Sequence, residues 1–324
     1  MGSNFTRKDL IYTVYQEQSF SKAAQKLFIS QPSLSVMIRK IEEDVGFPLF
    51  DRTSKPIRMT EAGMEYIRAT EEMMHIEKAF ENYANAYMDL KTGTLALGSN
   101  QLISFLVLPK YVAAFVEKYP KIELQLFDDN STVLENMITA GQLDLVIDTQ
   151  KLDSEVFEQR ILLPEELLLA VPSHFACNHG LEAFQYSADD ITNGAHLQPD
   201  AKRISMQQFA QMPIVSMTKH NDMRKRTEDI LKEAGIKPKS VLEIDRLVTL
   251  YAYIEMGTAA SLVSDTLVKH LSHHKGNVVY YKLNSKYAKR NIYVSYKKNK
   301  YYSKAMEAFV SLIFEMVHAE RTGN

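Results

Sequence analysis

The chain predicts an α+β protein of several domains: a winged helix-turn-helix, a long linker helix, and a C-terminal α/β domain of two subdomains. Three observations carry this. Residues 19 to 63 set two short amphipathic stretches around a tight turn and follow them with a Pro-containing hairpin. Residues 61–90 hold an uninterrupted apolar seam. Beyond it, strand and helix patterns alternate to the C-terminus. A length of 324 residues accommodates two or three such domains.

Ser21 is expected to cap a helix whose inward face is Ala23, Ala24 and Leu27, small enough for a second helix to cross closely. Phe28-Ile29-Ser30 forms the turn. Pro32 then falls at the first helical position, where its missing N–H costs nothing. Leu34, Ile38, Ile41 and Val45 recur at helical spacing and face inward. Gln31, Ser33, Ser35, Val36, Arg39 and Lys40 occupy the opposite face. Gly46 ends the helix and Pro48 prevents its resumption. Phe47, Leu49 and Phe50 are expected to pack back onto the three-helix core. Arg52, Lys55 and Arg58 ride on the hairpin before Thr60 caps a new helix. Pattern alone fits either a DNA reader, whose second helix lies in the major groove, or a small helical subdomain with a solvated polar face.

The formal charge of −2, taken whole, argues against nucleic acid, and its distribution reverses that. Residues 1–60 carry nine Lys or Arg against six acids, whereas residues 61–90 carry two against seven. Positive charge is concentrated where phosphates would be met. The margin is small, so a multivalent assembly is expected.

The run AAQKLFISQPSLSVMIRKIEEDVGFPLFDRTSKPIRMTEAG resembles the N-terminal domain of the LysR-type transcriptional regulators. It carries, in order, the Ala-Ala pair, the Ser-Gln-Pro turn, the Ile-Glu helix end, Gly-x-x-Leu-Phe-x-Arg and Thr-x-Ala-Gly. The resemblance implies base-edge readout by Gln31, Ser33, Ser35 and Val36, with Pro32 opening the same helix. It implies phosphate or minor-groove contact by Arg39, Arg52, Lys55 and Arg58. Position 36 departs from the family, which often places a larger polar or basic residue there. Valine can meet a thymine methyl but makes no bidentate bond to guanine.

Along residues 61–90 apolar side chains fall at Ala62, Tyr66, Ala69, Met73, Ile76, Phe80, Tyr83, Tyr87 and Leu90, in steps of four and three. That is a heptad seam, and pairing with a second copy is expected over packing on the same chain. The resemblance implies the same dimer, usually assembled into a tetramer.

Lys91-Thr92-Gly93-Thr94 reads as a hinge. Strands follow at Leu95–Gly98, Ile122–Phe127 and Leu143–Ile147, with helices at Leu102–Tyr119 and Thr132–Ala140, giving a mainly parallel sheet. A strand from Glu166 closes at Val171-Pro172. A second unit holds strands Ile214–Met217, Val241–Ile244 and Ala259–Val263 and helices Met223–Ala234 and Leu247–Met256. Strands near Val278–Leu283 and Ile292–Tyr296 and a final helix from Tyr302 to His318 return the chain. The resemblance implies a periplasmic-binding-protein-like effector domain: residues 95–163 and 267–324 as subdomain I, and 164–266 as subdomain II. Residues 183–203 look like an insertion, which could cover the cleft or form a subunit contact. Their Gly, Pro, Asp and Asn content suggests a loop with one short helical turn, and the reading favoured is a surface loop.

A cleft in this architecture lies at the carboxyl ends of the strands. Ser99, Asn100, Gln101, Ser131, Thr132, Asp148, Thr149, Thr218, Asn221 and Asp222 fall there. Several would serve only as helix caps. The resemblance implies a small metabolite, often a carboxylate, though Asp148 and Asp222 would suit an amine or hydroxyl. Double-stranded DNA, this small-molecule effector, further copies of the chain and RNA polymerase are the candidate partners, without cofactor or metal.

Between Thr266 and Met306 ten Lys or Arg stand without one Asp or Glu, interleaved with tyrosines. This suits a second surface for bent DNA, an acidic partner or, more commonly, a solvated face over packed Tyr. His270, His273 and His274 have metal-compatible spacing but no acidic or Cys ligand nearby in sequence. Cys177, flanked by His174 and His179, has no resolving partner in the chain. A lone cysteine without signal peptide or membrane-length apolar run points to the cytoplasm. An enzyme is the competing class, yet no nucleophile elbow, phosphate loop, dinucleotide fingerprint or His-Glu-x-x-His occurs. A ligand-independent DNA-binding protein is the other alternative.

Overall fold

The computed structural model describes residues 7–54, 56–86, 93–218, 222–271 and 276–322. They form two compact units, one essentially residues 1–84 and the other essentially the remainder.

The first unit packs α1 (Lys8–Glu17), α2 (Phe20–Lys26) and α3 (Gln31–Val45) around Ile11, Val14, Ala23, Ala24, Leu34 and Ile38. Ser19 caps α2, its hydroxyl accepting from the Lys22 N–H. The expected cap, Ser21, is already inside the helix, because the last extended residue is Ser19. Gly46 leaves α3 at φ +95°, a left-handed conformation that favours glycine. Leu49 and Phe50 close the core as expected. Phe47 is instead 47% exposed, because the buried Leu49 and Phe50 already fill the space under the turn. A wing follows, in which β1 (Phe50–Asp51) pairs antiparallel with β2 (Arg58–Met59).

Thr60 caps α4 (Glu61–Ala86), its hydroxyl accepting from the Gly63 N–H at 2.9 Å. A Cβ at position 63 would stand 2.0 Å from the Leu49 carbonyl oxygen, so only glycine lets α4 start so close to the turn. The seam along α4 divides. Tyr66 is buried with Ile67 in the core of the unit, whereas Ile76 and Phe80 are 69% and 70% exposed. The Tyr83 side chain, Tyr87, Leu90 and, of the expected hinge, Lys91 and Thr92 lie outside the described residues, while Gly93 and Thr94 are already strand.

The second unit begins with β3 (Gly93–Ser99), α5 (Gln101–Leu106) and α6 (Leu108–Lys118). The continuous helix expected over 102–119 is broken at Val107. Pro109 stands in the first turn of α6, where it has no N–H to bond back into α5. Then come β4 (Ile122–Asp128), α7 (Ser131–Thr139), β5 (Leu145–Asp148) and the sixteen-residue β6 (Phe157–Pro172). After these follow β7 (Gln185–Tyr186), α8 (Ala188–Thr192), β8 (Ile214–Met217), α9 (Asp222–Glu233), β9 (Ser240–Ile244) and α10 (Leu247–Glu255). The chain ends through β10 (Ser261–Ser264), α11 (Asp265–Leu271), β11 (Val278–Lys282), β12 (Lys289–Lys297) and α12 (Lys304–Thr322).

The sheet is mixed rather than mainly parallel. β4, β3 and β5 run parallel, but β12 enters antiparallel between β5 and β6, and β11 and β10 also pair antiparallel with β6. The cause is β6 itself: its first half pairs with β12 and its second half with β10 and β11, so one strand serves two lobes. Pro164 sits in β6 beside a bulge, where the register with β12 shifts between Ile292 and Tyr293. Two large apolar cores result, beside a smaller cluster of Ala96, Leu134, Ile138, Leu143, Val146, Leu152 and Phe157. Leu95, Leu97, Phe115, Ile292, Val294 and Phe309 belong to the first. The second takes Leu167–Val171 and also Leu267, Tyr280, Tyr281 and Ala288, so α11 and β11 pack there and the return crossing falls on β12.

Residues 183–203 hold the expected short helical turn, α8, but are tied into the fold rather than lying as a surface loop. Gln185 and Tyr186 add a strand beside Tyr281 and Tyr280, and a reciprocal Ser187–Asp190 capping box opens α8. Ile191 and His196 are fully buried. His196 Nε2 meets Asp265 Oδ2 at 3.1 Å, and Lys269 reaches the same oxygen at 2.7 Å. The basic stretch is likewise largely absorbed. Lys282 pairs with Glu166 in the interior, Arg290 with Glu165, Lys300 with Asp144 and Lys304 with Glu307. Lys275, His273 and His274 lie outside the described residues. His270 faces the Thr266 carbonyl, and no cluster of metal-ligating residues occurs among the described residues.

Candidate DNA-reading face and effector cleft

The exposed face of α3 is held by its own hydroxyls. Ser30 caps the helix, its Oγ accepting from the Ser33 N–H at 3.2 Å and lying 2.7 Å from Ser33 Oγ. Gln31 Nε2 donates to Ser35 Oγ at 2.9 Å. Gln31, Pro32, Ser33, Val36 and Arg39 are exposed, and Ser35 is half-buried. Leu34 and Ile38 anchor the opposite side. A short polar and apolar surface, fixed by bonds within one helical turn, is thus offered outward with two exposed cations, Arg39 and Lys40, further along the helix.

Glu42, which sequence reasoning passed over, organises the wing. Its Oε1 accepts from the Leu49 N–H at 2.8 Å and the Phe50 N–H at 3.1 Å, while Oε2 takes Arg52 at 2.7 Å. Arg52 also lies over the Phe20 ring, 5.3 Å from its centre. Its guanidinium is therefore oriented by the domain. Arg58 is exposed on β2, with the Asp51 carboxylate nearby. The Thr53 hydroxyl and N–H hold the Asp51 carboxyl below the usual carboxylate range. Lys55 lies outside the described residues.

The second unit contains a cleft of about 860 Å³. Of the sequence-predicted residues, Asn100, Gln101, Ser131, Thr132, Thr149 and Asp222 line it. Ser99, Asp148 and Thr218 do not, and Asn221 lies outside the described residues. Ser99 turns back to the Ile147 carbonyl at 2.9 Å, and Thr218 donates to Asp245 at 2.9 Å. Asp148 stands behind the lining, accepting from Asn100 Nδ2, Ser131 and the Thr149 N–H. Burial pushes its carboxyl up, against the pull of those donors and of the Arg290 charge. It fastens three cleft loops together. Asn100 doubles as the cap of α5, its Oδ1 accepting from the Ile103 N–H.

Charges in the cleft come from both lobes. Asp128 and Asp129 close β4, while Lys225, Arg226, Asp245 and Arg246 come from α9 and the approach to α10. Partial burial raises the Asp128 carboxyl, with Arg246 pulling the other way. Arg290 on β12 is the buried member. Its Nε pairs with Glu165, its cross-strand neighbour on β6, and a terminal nitrogen reaches Asp222 Oδ2 at 3.1 Å. Burial works against its charge, but Glu165 and Asp222 overcome that and hold the guanidinium more basic than usual. Cys177 sits half-buried away from this lining, and burial pushes its thiol up, the opposite of an activated thiolate.

Residues 9–64 match the bacterial regulatory helix-turn-helix domain of the lysR family, and residues 89–317 match the LysR substrate binding domain. The chain belongs to the LysR family. This LysR-type DNA-binding transcriptional regulator is 25% identical to a probable RuBisCO transcriptional regulator of Cyanidioschyzon merolae, over 93% of this chain and 94% of that one. It is 24% identical to the HTH-type transcriptional regulator YcgK of Bacillus subtilis, over 92% and 90%. Among solved structures it resembles a full-length OxyR variant of Pseudomonas aeruginosa, with a TM-score of 0.68 at 17% identity over 95% and 92% of the two chains. Full-length CbnR complexed with its target DNA gives a TM-score of 0.61 at 16% identity over 94% and 97%. The effector binding domain of QuiR, in complex with shikimate, gives 0.54 at 18% identity and covers 70% of this LysR-family chain and 98% of that one. No helix among the described residues is long and apolar enough to cross a membrane.

Proposed function

We propose that this LysR-family chain is a cytoplasmic, self-associating reader of duplex DNA whose grip is set by a small polar molecule in the cleft of its second unit. The observation that carries the reading is the exposed face of α3, pre-arranged by the Ser30–Ser33 and Gln31–Ser35 bonds. Gln31, Ser33, Ser35 and Val36 touch base edges, with Pro32 at the helix entry, while Arg39, Arg52, Lys55 and Arg58 meet phosphates or the minor groove. RNA polymerase is a further partner for DNA-bound protein.

Two exposed features support self-association. Ile76 and Phe80 continue the α4 seam beyond the part its own core uses. In the second unit, β4 and β9 end their sheets with Leu126, Phe127, Val241 and Leu242 exposed, edges that a further chain would cover. A pair of such chains sets two α3 helices on a palindromic site.

The cleft selects its occupant by charge. Asp128 and Asp129 on one lobe oppose Lys225 and Arg246 on the other, and α10 opens at Arg246 without a side-chain cap. A compact molecule bearing an acid group together with an amine or several hydroxyls fits this lining better than an apolar acid. The shikimate-bound QuiR domain, a fold neighbour, is in keeping with a small polar ligand.

The test is a mobility-shift titration of the full chain on duplexes selected from a random pool, with and without small acids, amino acids and polyols. A sequence-specific complex whose footprint changes with one of these is expected. Absence of any sequence-specific complex refutes the regulator reading, and a footprint indifferent to every compound refutes effector control.

A further inference from the structure

Phe28 is placed where the fold gains nothing from it. It is 95% exposed and holds left-handed backbone at φ +56°. Its N–H donates to the Gln25 carbonyl at 3.2 Å, and the next N–H, of Ile29, donates to the Ala24 carbonyl at 3.0 Å. Those two bonds are the Schellman ending of α2, and Phe28 occupies the left-handed position that glycine normally fills. Any Cβ there crowds the following carbonyl, and a large side chain is a conformational outlier. A strained residue with an exposed apolar ring costs folding stability twice over, a combination that points to a use outside the fold.

Its setting indicates the use. Phe28 precedes the Ser30 cap by two residues and Gln31 by three, at the end of α3 that enters the groove in this motif. Exposed neighbours on the chain are polar or cationic: Lys22, Gln25, Lys26, Ser30 and Gln31. One aromatic ring among such groups does not make an apolar protein interface, whose centre is depleted of charge. It does suit a polyanion that presents methyl groups and sugar faces. Val36, 68% exposed on the outer face of α3, offers a second apolar group of the same kind.

We infer that Phe28 is a DNA-contact residue of this regulator, its ring packing on the apolar surface of the duplex beside the bases read by α3. The contact rests on the DNA-reading proposal and extends it. With Val36 it biases the site toward thymine, because the thymine methyl is the apolar group displayed in the major groove.

The experiment uses the full chain and the tightest duplex selected by the unaltered protein. That protein must first form a specific complex, which tests the DNA-reading proposal separately. Phe28→Gly and Phe28→Asn both accept left-handed backbone. Each is expected to bind the selected duplex about tenfold more weakly, the size of one good base-edge contact. Hydrogen exchange of the free protein over residues 20–35 should slow severalfold, because strain is relieved. Unchanged affinity in both variants overturns the inference. So does a loss of affinity accompanied by faster exchange, which makes Phe28 a structural residue. Replacing each thymine of the duplex in turn by deoxyuridine then names the surface touched. If a methyl is touched, one replacement weakens the unaltered protein and not the variants. If only sugar is touched, the two proteins respond alike at every position while the variants stay weaker.

Discussion

Replacing Glu42 by alanine removes one side chain and strands three groups. The N–H groups of Leu49 and Phe50, residues that are 0% and 3% exposed, both end on Glu42 Oε1. A buried N–H left without its acceptor costs about 1–2 kcal/mol. Arg52 loses the Oε2 contact, but its side chain is 36% exposed and the pair contributes at most about 0.5 kcal/mol once screening is allowed for. The sum is about 3 kcal/mol, a large fraction of what an ordinary domain has in total. The loss is local, because the bonds hold the turn from Gly46 to the wing rather than the α1–α2–α3 core.

Hydrogen exchange of the 47–59 segment in the full chain measures this directly. Each 1.4 kcal/mol is tenfold in an opening equilibrium, so Glu42→Ala should lower protection about a hundredfold there and leave residues 8–17 little changed. Glu42→Gln keeps an amide oxygen for the two N–H groups and loses only charge assistance, so about tenfold is expected. Exchange in Glu42→Ala that matches the unaltered protein would refute the reasoning. Equal loss at residues 8–17 would show that the fastening is global rather than a wing hinge.

Other outcomes follow from the same kind of accounting. Asp265 is buried, which raises its carboxyl, but His196, Lys269 and the Glu166 N–H outweigh burial and hold it below its ordinary value of 3.8. Its stabilising contribution is therefore present above about pH 4 and lost as pH falls through the lowered folded value. Asp265→Asn should be less stable at pH 7 and show a shallower acid limb in thermal melts of the effector unit; an unchanged limb removes the assignment. Arg290→Met leaves Glu165, buried on β6, without its cation and should cost about 3–5 kcal/mol. Adding Glu165→Leu should recover most of that, and a double variant no better than the single would sink the pairing argument. Ile76→Glu places a charge on the exposed part of the α4 seam and should convert a two-site footprint into weak single-site binding; a dimer unchanged in sedimentation would rule that seam out.

The first unit was legible almost residue by residue because each of its devices is local. Pro32 at the head of α3, Gly46 at its end and Thr60 before α4 act on neighbours within four residues, so a sequence window contains cause and effect. Where reading failed, the partner was distant. The break in the helix over 102–119 is the exception, since its cause, Pro109, is local. Residues 183–203 look like a loop because Gly, Pro, Asp and Asn dominate them. Their order comes from β11 and α11, some 70 to 100 positions away, through Tyr281 and Asp265. The antiparallel entry of β12 is equally remote, set by a sixteen-residue β6 that two lobes share.

The cleft shows the same division, and Arg290 shows where a better signal lay. Polar residues after strand ends are easy to name, and six of the ten chosen this way do line the cavity. The method cannot separate a lining side chain from one turned back to tie loops, as Ser99 and Asp148 do, since both kinds are short, polar and placed alike. Arg290 was hidden inside a run of ten cations read as one solvated or interacting surface. Strand parity separates it from the others. Arg290, Ile292 and Val294 alternate on one face of β12, and all three are buried. A cation that shares parity with two core residues must enter the interior with counter-charge. Position 290 therefore predicts an acidic cross-strand partner before the partner is known, and Glu165 fills that place. Having met its counter-charge on the strand that joins both lobes, Arg290 extends to Asp222 at the start of α9, so the cleft floor is fixed to the crossing strands themselves.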